Sequence, residues 1–321
     1  MSIAAARVLV LAATGLLALA APFIVGDYPL RLLVLALQSA IAVIGLAIAF
    51  GWAGLIQLGQ AAFVGVGAYT SALLVLKAGW SFWLALPAGM ALAGLLALLI
   101  ALPMLRLRGH YLALATVGLN VSAEIVMKNW APVTGGDDGI SGIPGVVLFG
   151  HEIATDRGAY FLALAFLAGV ALFALALRRS RFGRAMIALR DDEIAAATSG
   201  VPVVRTKVLA FVIASMLAGL SGSLYAHYAH FIAPGDFDLA RSVTLLVMLI
   251  AGGELSVAGC IVGAIVLGFA PEGLRFVGDA YLAVFGVGVL LVLVLMPEGI
   301  AGRARKGWLR WQRRQHARAH G

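Results

Sequence analysis

Charge is what this sequence has least of. Only 12% of its 321 residues are Asp, Glu, Lys or Arg, against roughly 25% in a soluble globular chain. Hydrophobic residues make up 62%, and the mean hydropathy is +1.02. A water-soluble core of this length could not hide so much apolar side chain, so the surrounding medium is lipid. Cysteine is almost missing. Cys260 stands alone in an apolar run, which excludes a disulfide framework and a cysteine-based metal site. The dipeptide Gly-Lys does not occur, so there is no G-x-x-x-x-G-K-[ST] loop to cradle a phosphate. No Ser/His/Asp or Cys/His set suggests nucleophilic catalysis, which disfavours an intramembrane enzyme. His227 and His230 lie three apart but lack a carboxylate in register for a metal. If the chain moves a solute, the energy must come from an ion gradient or from another chain.

What is present is a series of apolar runs. A membrane span needs about 20 apolar residues. Candidates are Val8–Ile24, Leu32–Phe50, Leu55–Leu76, Phe82–Leu105, Tyr111–Val126, Tyr160–Leu177, Val208–Tyr228, Ser242–Gly252, Ser256–Ala270 and Tyr281–Met296. Ala18-Leu19-Ala20 resembles a signal-peptidase site, yet a retained first span is expected in a polytopic protein. The reading is an all-α polytopic membrane protein with about ten spans. Eight keep the same parity if the two short runs around Gly252-Gly253-Glu254 form half-helices or a hairpin.

Charge placement supports that parity. Seven of the 23 basic residues lie within 178–207 and seven within 302–321. Lys/Arg-rich segments resist translocation, so both should face the cytoplasm. The segment 129–158 is acidic, with Asp137, Asp138, Glu152 and Asp156 against Arg157 alone, and falls outside. The N- and C-termini are then cytoplasmic. Residues 1–301 form the membrane domain and 302–321 a basic tail. Trp308 and Trp311 suit that tail to the headgroup level, as a topological anchor rather than a nucleic-acid site.

Two features interrupt the pattern. Between Gly51 and Gly67 glycines crowd together with Gln57 and Gln60. Glycine costs about 1 kcal/mol against alanine in a helix interior, and amides in lipid need partners. This suggests either a broken helix lining a polar pathway or tight helix packing. The second interruption is the insert at 178–207. Asp191, Asp192 and Glu193 suit the start of a helix, Gly200 suits its end, and Pro202 prevents continuation. A charged helical insert in a greasy chain reads as a docking surface. Elsewhere, Glu124 and Lys128 are spaced to pair on one helical face, and Gly259 and Gly263 form a G-x-x-x-G packing step.

The insert G-R-A-x-x-A-L-R-D-D-E-x-A-A-x-x-x-G resembles the coupling loop of permeases in ABC importers of the branched-chain amino acid class, the LivM-type subunit. The resemblance covers most of the chain. Gly54–Thr70, Leu105–Thr116, Thr134–Pro144, Phe231–Pro234 and Pro297–Gly302 match further motifs in order. One departure stands out: where the family reads G-G-L/M-G-S, this chain has Gly252-Gly253-Glu254-Leu255-Ser256.

The resemblance implies a bacterial inner-membrane subunit carrying branched-chain or hydrophobic amino acids. It also implies a LivH-type second permease, two cytoplasmic ABC ATPases and an extracytoplasmic solute-binding protein. ATP would be used by the partner subunits, with no cofactor on this chain. It places Arg184, Arg190, Asp192, Glu193, Ala195, Ala196 and Gly200 at the ATPase contact. Gln57, Gln60, Thr116 and Asn120 are candidates for the translocation path, and Thr134, Gly135 and Gly136 for the outer loop. Similar permeases carry urea, short amides or aromatic acids. A stand-alone secondary transporter is the rival outside this class, and it would need mid-membrane acids, of which Glu254 is the candidate.

Overall fold

A computed structural model of the chain describes residues 17–104, 110–148, 150–153 and 155–273. Residues 17–24 are helical. Helix α1, Asp27–Leu46, runs into a π-helical turn, Ala47–Trp52. Non-helical residues 53–59 lead to α2, Gln60–Ala78. Then follow α3, Phe82–Met104, and α4, His110–Asn129. A single helical turn α5, Ala131–Thr134, opens a segment holding β1 (Ile140–Ser141), β2 (Val147–Leu148) and β3 (His151–Glu152). After α6, Asp156–Arg179, come two short helices, α7 (Arg181–Asp191) and α8 (Glu193–Thr198). Helix α9, Val203–Ala229, is followed by β4 (Phe231–Ile232) and a 3-10 turn, Pro234–Phe237. Helices α10, Leu239–Gly252, and α11, Val257–Gly273, end the described chain.

Among the described residues, six helical stretches are long and apolar enough to cross a membrane: Asp27–Trp52, α2, α3, α4, α6 and α9. The protein is therefore an all-helical, multi-pass membrane protein. The expected span Tyr281–Met296 lies outside the described residues, as does most of Val8–Ile24. Helices α10 and α11, with 14 and 17 residues, are shorter than a full span. The run Leu55–Leu76 is not one helix. Gly54 takes a φ of +70°, and helical structure resumes only at Gln60.

The molecule has two ends. At one, the Arg31 guanidinium meets Asp156 at 2.8 Å, which ties the start of α1 to the start of α6. The small strands lie at this loop end, where β1 pairs antiparallel with β4 and β2 with β3. The other end carries α7 and α8 between α6 and α9. Through the middle runs α9, packed along α1, α2 and α3. Some 72% of its apolar stretch is buried, against 22% for α4 and 28% for α6. The last two are thus peripheral, with Leu114, Ile125, Leu172 and Phe173 exposed.

Glycine makes the central packing possible. A Cβ on Gly67 would collide with the Gly219 backbone, and one on Gly222 with the Val64 carbonyl. α2 and α9 therefore touch main chain to main chain, the close approach that small residues allow. The same device closes the α10–α11 hairpin, where Gly252 and Gly263 leave no room for a side chain against the facing helix. The G-x-x-x-G step at Gly259 and Gly263 is a packing surface.

Candidate functional site

The insert forms two helices, each capped as its sequence demands. The Ser180 hydroxyl accepts from Gly183 N at 3.1 Å and opens α7. The Asp192 carboxylate accepts from Ile194 N at 2.8 Å and Ala195 N at 3.0 Å and opens α8. Such caps each contribute about 0.5–2 kcal/mol. Beyond α8, Gly200 takes a φ of +85°, a conformation glycine adopts without strain. Met186, Leu189 and Ala196 turn inward, while Arg184, Ala195 and Gly200 face out. Ile194 is 77% exposed, an isoleucine presented at the tip of the insert.

The charges of the insert are largely committed inside the chain. Glu193 pairs with Lys207 at 2.8 Å. Arg190, a candidate for the ATPase contact, pairs with Glu254 within the chain and donates to the Gly51 carbonyl at 2.6 Å. Its stem also packs on Gly54. Arg178 donates to the Leu255 carbonyl at 2.5 Å, and its guanidinium lies 5.9 Å from the centre of the Trp52 ring. Two arginines thus grip the Gly253–Leu255 turn from either side. The insert is fastened both to the α10–α11 hairpin and to the π-helical end of α1, a local geometry that often marks functional sites. Ala196, expected at a docking surface, is buried at 4% exposure because α8 lays it against the chain.

The broken start of α2 explains the buried polar residues. An interrupted helix leaves N–H groups without intrahelical acceptors, and in a membrane protein these must be satisfied by protein. The acceptors come from other helices. Thr116 Oγ1 accepts from Leu58 N at 2.9 Å, Asn120 Oδ1 from Ala62 N at 3.0 Å, and Ser242 Oγ from Ala61 N at 2.9 Å. Ser242 in turn donates to Asn120 at 2.9 Å. Gln57 donates to Gln60, which donates to the Ala42 and Ala214 carbonyls. Gln57, Gln60, Thr116 and Asn120 are each no more than 1% exposed. They staple the broken helix in place, and none of them lines the cavities described next.

Two cavities open between α1 and α9 toward the loop end. The larger, about 460 Å³, reaches from Arg31, Asp156 and His230 down to Gln38 and Tyr225. The second, about 350 Å³, shares Leu35, Gln38 and Tyr225 and continues to Asp236, Asp238 and Arg241. His227 is held by Ser71 and the Pro144 carbonyl, and His230 by the Ile143 carbonyl. No group of three potential metal ligands exists among the described residues. In the loop, Thr134 Oγ1 donates to the Met127 carbonyl at 2.6 Å, and Gly135 and Gly136 take positive φ. These three residues shape the loop, whereas Trp130, Asp137 and Asp138 form its exposed face.

The family profile described as the branched-chain amino acid transport system permease component matches residues 28–295. The chain belongs to this family. It is 34% identical to the high-affinity branched-chain amino acid transport system permease protein LivM of Escherichia coli strain K12, over 92% of this chain and 75% of that protein. LivH of the same strain is 28% identical over 82% of this chain and 91% of its own length. The ribose import permease RbsC of Bacillus subtilis is 28% identical over 57% of each chain. No solved structure matches. The relatives are transport permeases, so the chain is a membrane permease component.

Sequence reasoning missed three features. The role of Glu254 was hidden because its arginine lies 64 residues away. Ser242, the third cap of α2, is an ordinary serine in an apolar run. Arg241 carried a signal that could have been read: a lone cation in a short apolar helix demands an explanation.

Proposed function

We propose that this chain is one of two permease subunits of an ATP-driven importer for branched-chain or other hydrophobic amino acids. A second, LivH-type permease completes the translocation path, and a solute-binding protein delivers cargo at the loop end. Two ATPases dock at the insert end and supply the energy, which this chain cannot draw from a phosphate loop of its own. The observation that carries the reading is the insert itself. It presents Ile194 outward while Arg178 and Arg190 fasten it to the α10–α11 turn and to α1. A push on α8 would therefore reach two membrane helices and the broken start of α2. Alternating access requires such a link, because nucleotide can shift the conformational equilibrium only through contacts that differ between states.

The finer topology follows from the ends. Helices α10 and α11 form a hairpin whose turn lies at the insert end, as Arg190 on Glu254 requires. Counting them as passes, together with the expected first and last spans, gives ten, with both termini cytoplasmic.

Ile194→Asp tests the docking surface. Its side chain is exposed, so the fold should persist. Membrane levels should match the wild type, whereas ATP-driven uptake by the assembled importer should fall at least tenfold. Unchanged uptake, in cells with no other importer for the solute, would remove the insert from the coupling role.

A further inference from the structure

The second cavity carries an unusual set of groups for its position. It is bordered by the 3-10 turn Pro234–Phe237 and the first turn of α10. Phe237 lies halfway along the neighbouring helices: its carbonyl accepts from Asn120, the eleventh of 20 residues in α4. Its ring also lies 5.9 Å from that of Tyr69, the tenth of 19 in α2. After β4 the chain thus descends from the loop end to mid-depth, and α10 begins there.

At this depth sit Asp236, Asp238 and Arg241. Ionisable groups inside a membrane are costly and mark solute pathways. Among the described residues, none of the three has an ion-pair partner within 4 Å. Asp236 accepts from Ala233 N at 2.9 Å and also faces the Tyr225 hydroxyl, whereas Asp238 accepts from Arg241 N at 2.8 Å through one oxygen and keeps a second. The Arg241 guanidinium makes one hydrogen bond, to Ser39 Oγ at 3.1 Å. Gln38, 4% exposed, stands between the two cavities. Its Nε2 donates to Leu224, and its Oε1 has no partner among the described residues.

One cation, two carboxylates without an ion-pair partner and an idle amide oxygen, beside the apolar side chains of Leu35 and Val64, match a specific chemistry. We infer that this cavity is a mid-membrane binding site for the zwitterionic head of an α-amino acid. Arg241 holds the carboxylate, as a guanidinium fork is shaped to do. Asp236 and Asp238 hold the ammonium, and Leu35 and Val64 receive the aliphatic side chain. The larger cavity, which shares Leu35, Gln38 and Tyr225 with it, is the approach from the loop end. This inference rests on the proposed function and specifies where and how this subunit touches its cargo.

The test uses the full importer: this chain with its second permease, ATPases and binding protein, reconstituted in proteoliposomes and supplied with radiolabelled leucine. Arg241→Gln should lower ATP-driven uptake at least tenfold. Arg241→Lys should retain part of it, since a point cation replaces the fork. Asp236→Asn should lower uptake at least fivefold. Size-exclusion profiles of the purified complexes check assembly, and the lysine variant keeps the charge should glutamine prevent folding. Wild-type rates in both Arg241→Gln and Asp236→Asn would overturn the site while leaving the importer reading intact. A wild-type complex that hydrolyses ATP but carries no α-amino acid would overturn the functional reading, and this site with it.

Discussion

Glu254→Gln removes a charge from the turn that Arg190 grips and leaves the shape almost unchanged. Both side chains are 28% exposed, so the pair is neither fully screened nor fully desolvated. At an effective dielectric constant near 20, two unit charges about 4 Å apart attract by about 4 kcal/mol. Desolvation offsets much of this, which leaves a net contribution of about 1.5–3 kcal/mol for a charge-assisted hydrogen bond. Glutamine keeps an acceptor, so the loss should fall near the lower figure. Arg190→Gln also weakens the bond to Gly51 and should cost more. The two effects should not add. Once Glu254 is neutral, removing the Arg190 charge takes away an interaction already lost, and a double-mutant cycle should show coupling of about 1–2 kcal/mol. Two assays apply: thermal inactivation of the purified complex, and solute carried per ATP hydrolysed. If the pair transmits motion, the single variants should lower solute carried per ATP more than they lower thermal resistance. Strictly additive effects in both assays would show that Arg190 and Glu254 are neighbours without mechanical significance.

The packing and capping arguments give two further expectations. Gly222→Ala places a methyl group into the Val64 carbonyl, where backbone on both sides resists movement; overpacking of this kind costs about 1–3 kcal/mol, and the variant should accumulate poorly in membranes by immunoblot. Asn120→Ala strips the acceptor from Ala62 N and a partner from Ser242. Leaving a buried donor unmatched costs about 1–3 kcal/mol, so the purified complex should lose activity at a lower temperature than the wild type.

What could be read from sequence was what local spacing encodes. The apolar runs located the helices, the Asp191–Glu193 cluster located the start of α8, and Glu124 pairs with Lys128 at 2.7 Å as their spacing demands. The cluster of glycines with Gln57 and Gln60 marked the region as unusual, but left a broken helix and tight packing as alternatives. The repair of the break was not visible, because Thr116, Asn120 and Ser242 reach it from α4 and α10, and no periodicity connects them. Glu254 shows the same limit from the other side. In the sequence it stood as a departure from the family pattern and as the candidate acid of a secondary transporter, whereas in the folded chain it is the counter-charge of Arg190. The boundary of α2 was placed at Leu55 because the apolar run starts there, whereas the backbone turns at Gly54 and helix resumes only at Gln60.

The central claim is that this chain moves solute only when driven from the insert end by other subunits. Its most direct test is uptake of labelled amino acid into proteoliposomes holding either the complete importer or this chain alone, with ATP or with an imposed ion gradient. Uptake should require every partner and ATP, and the gradient should have no effect. Gradient-driven uptake by the single chain would contradict the account and identify a secondary transporter.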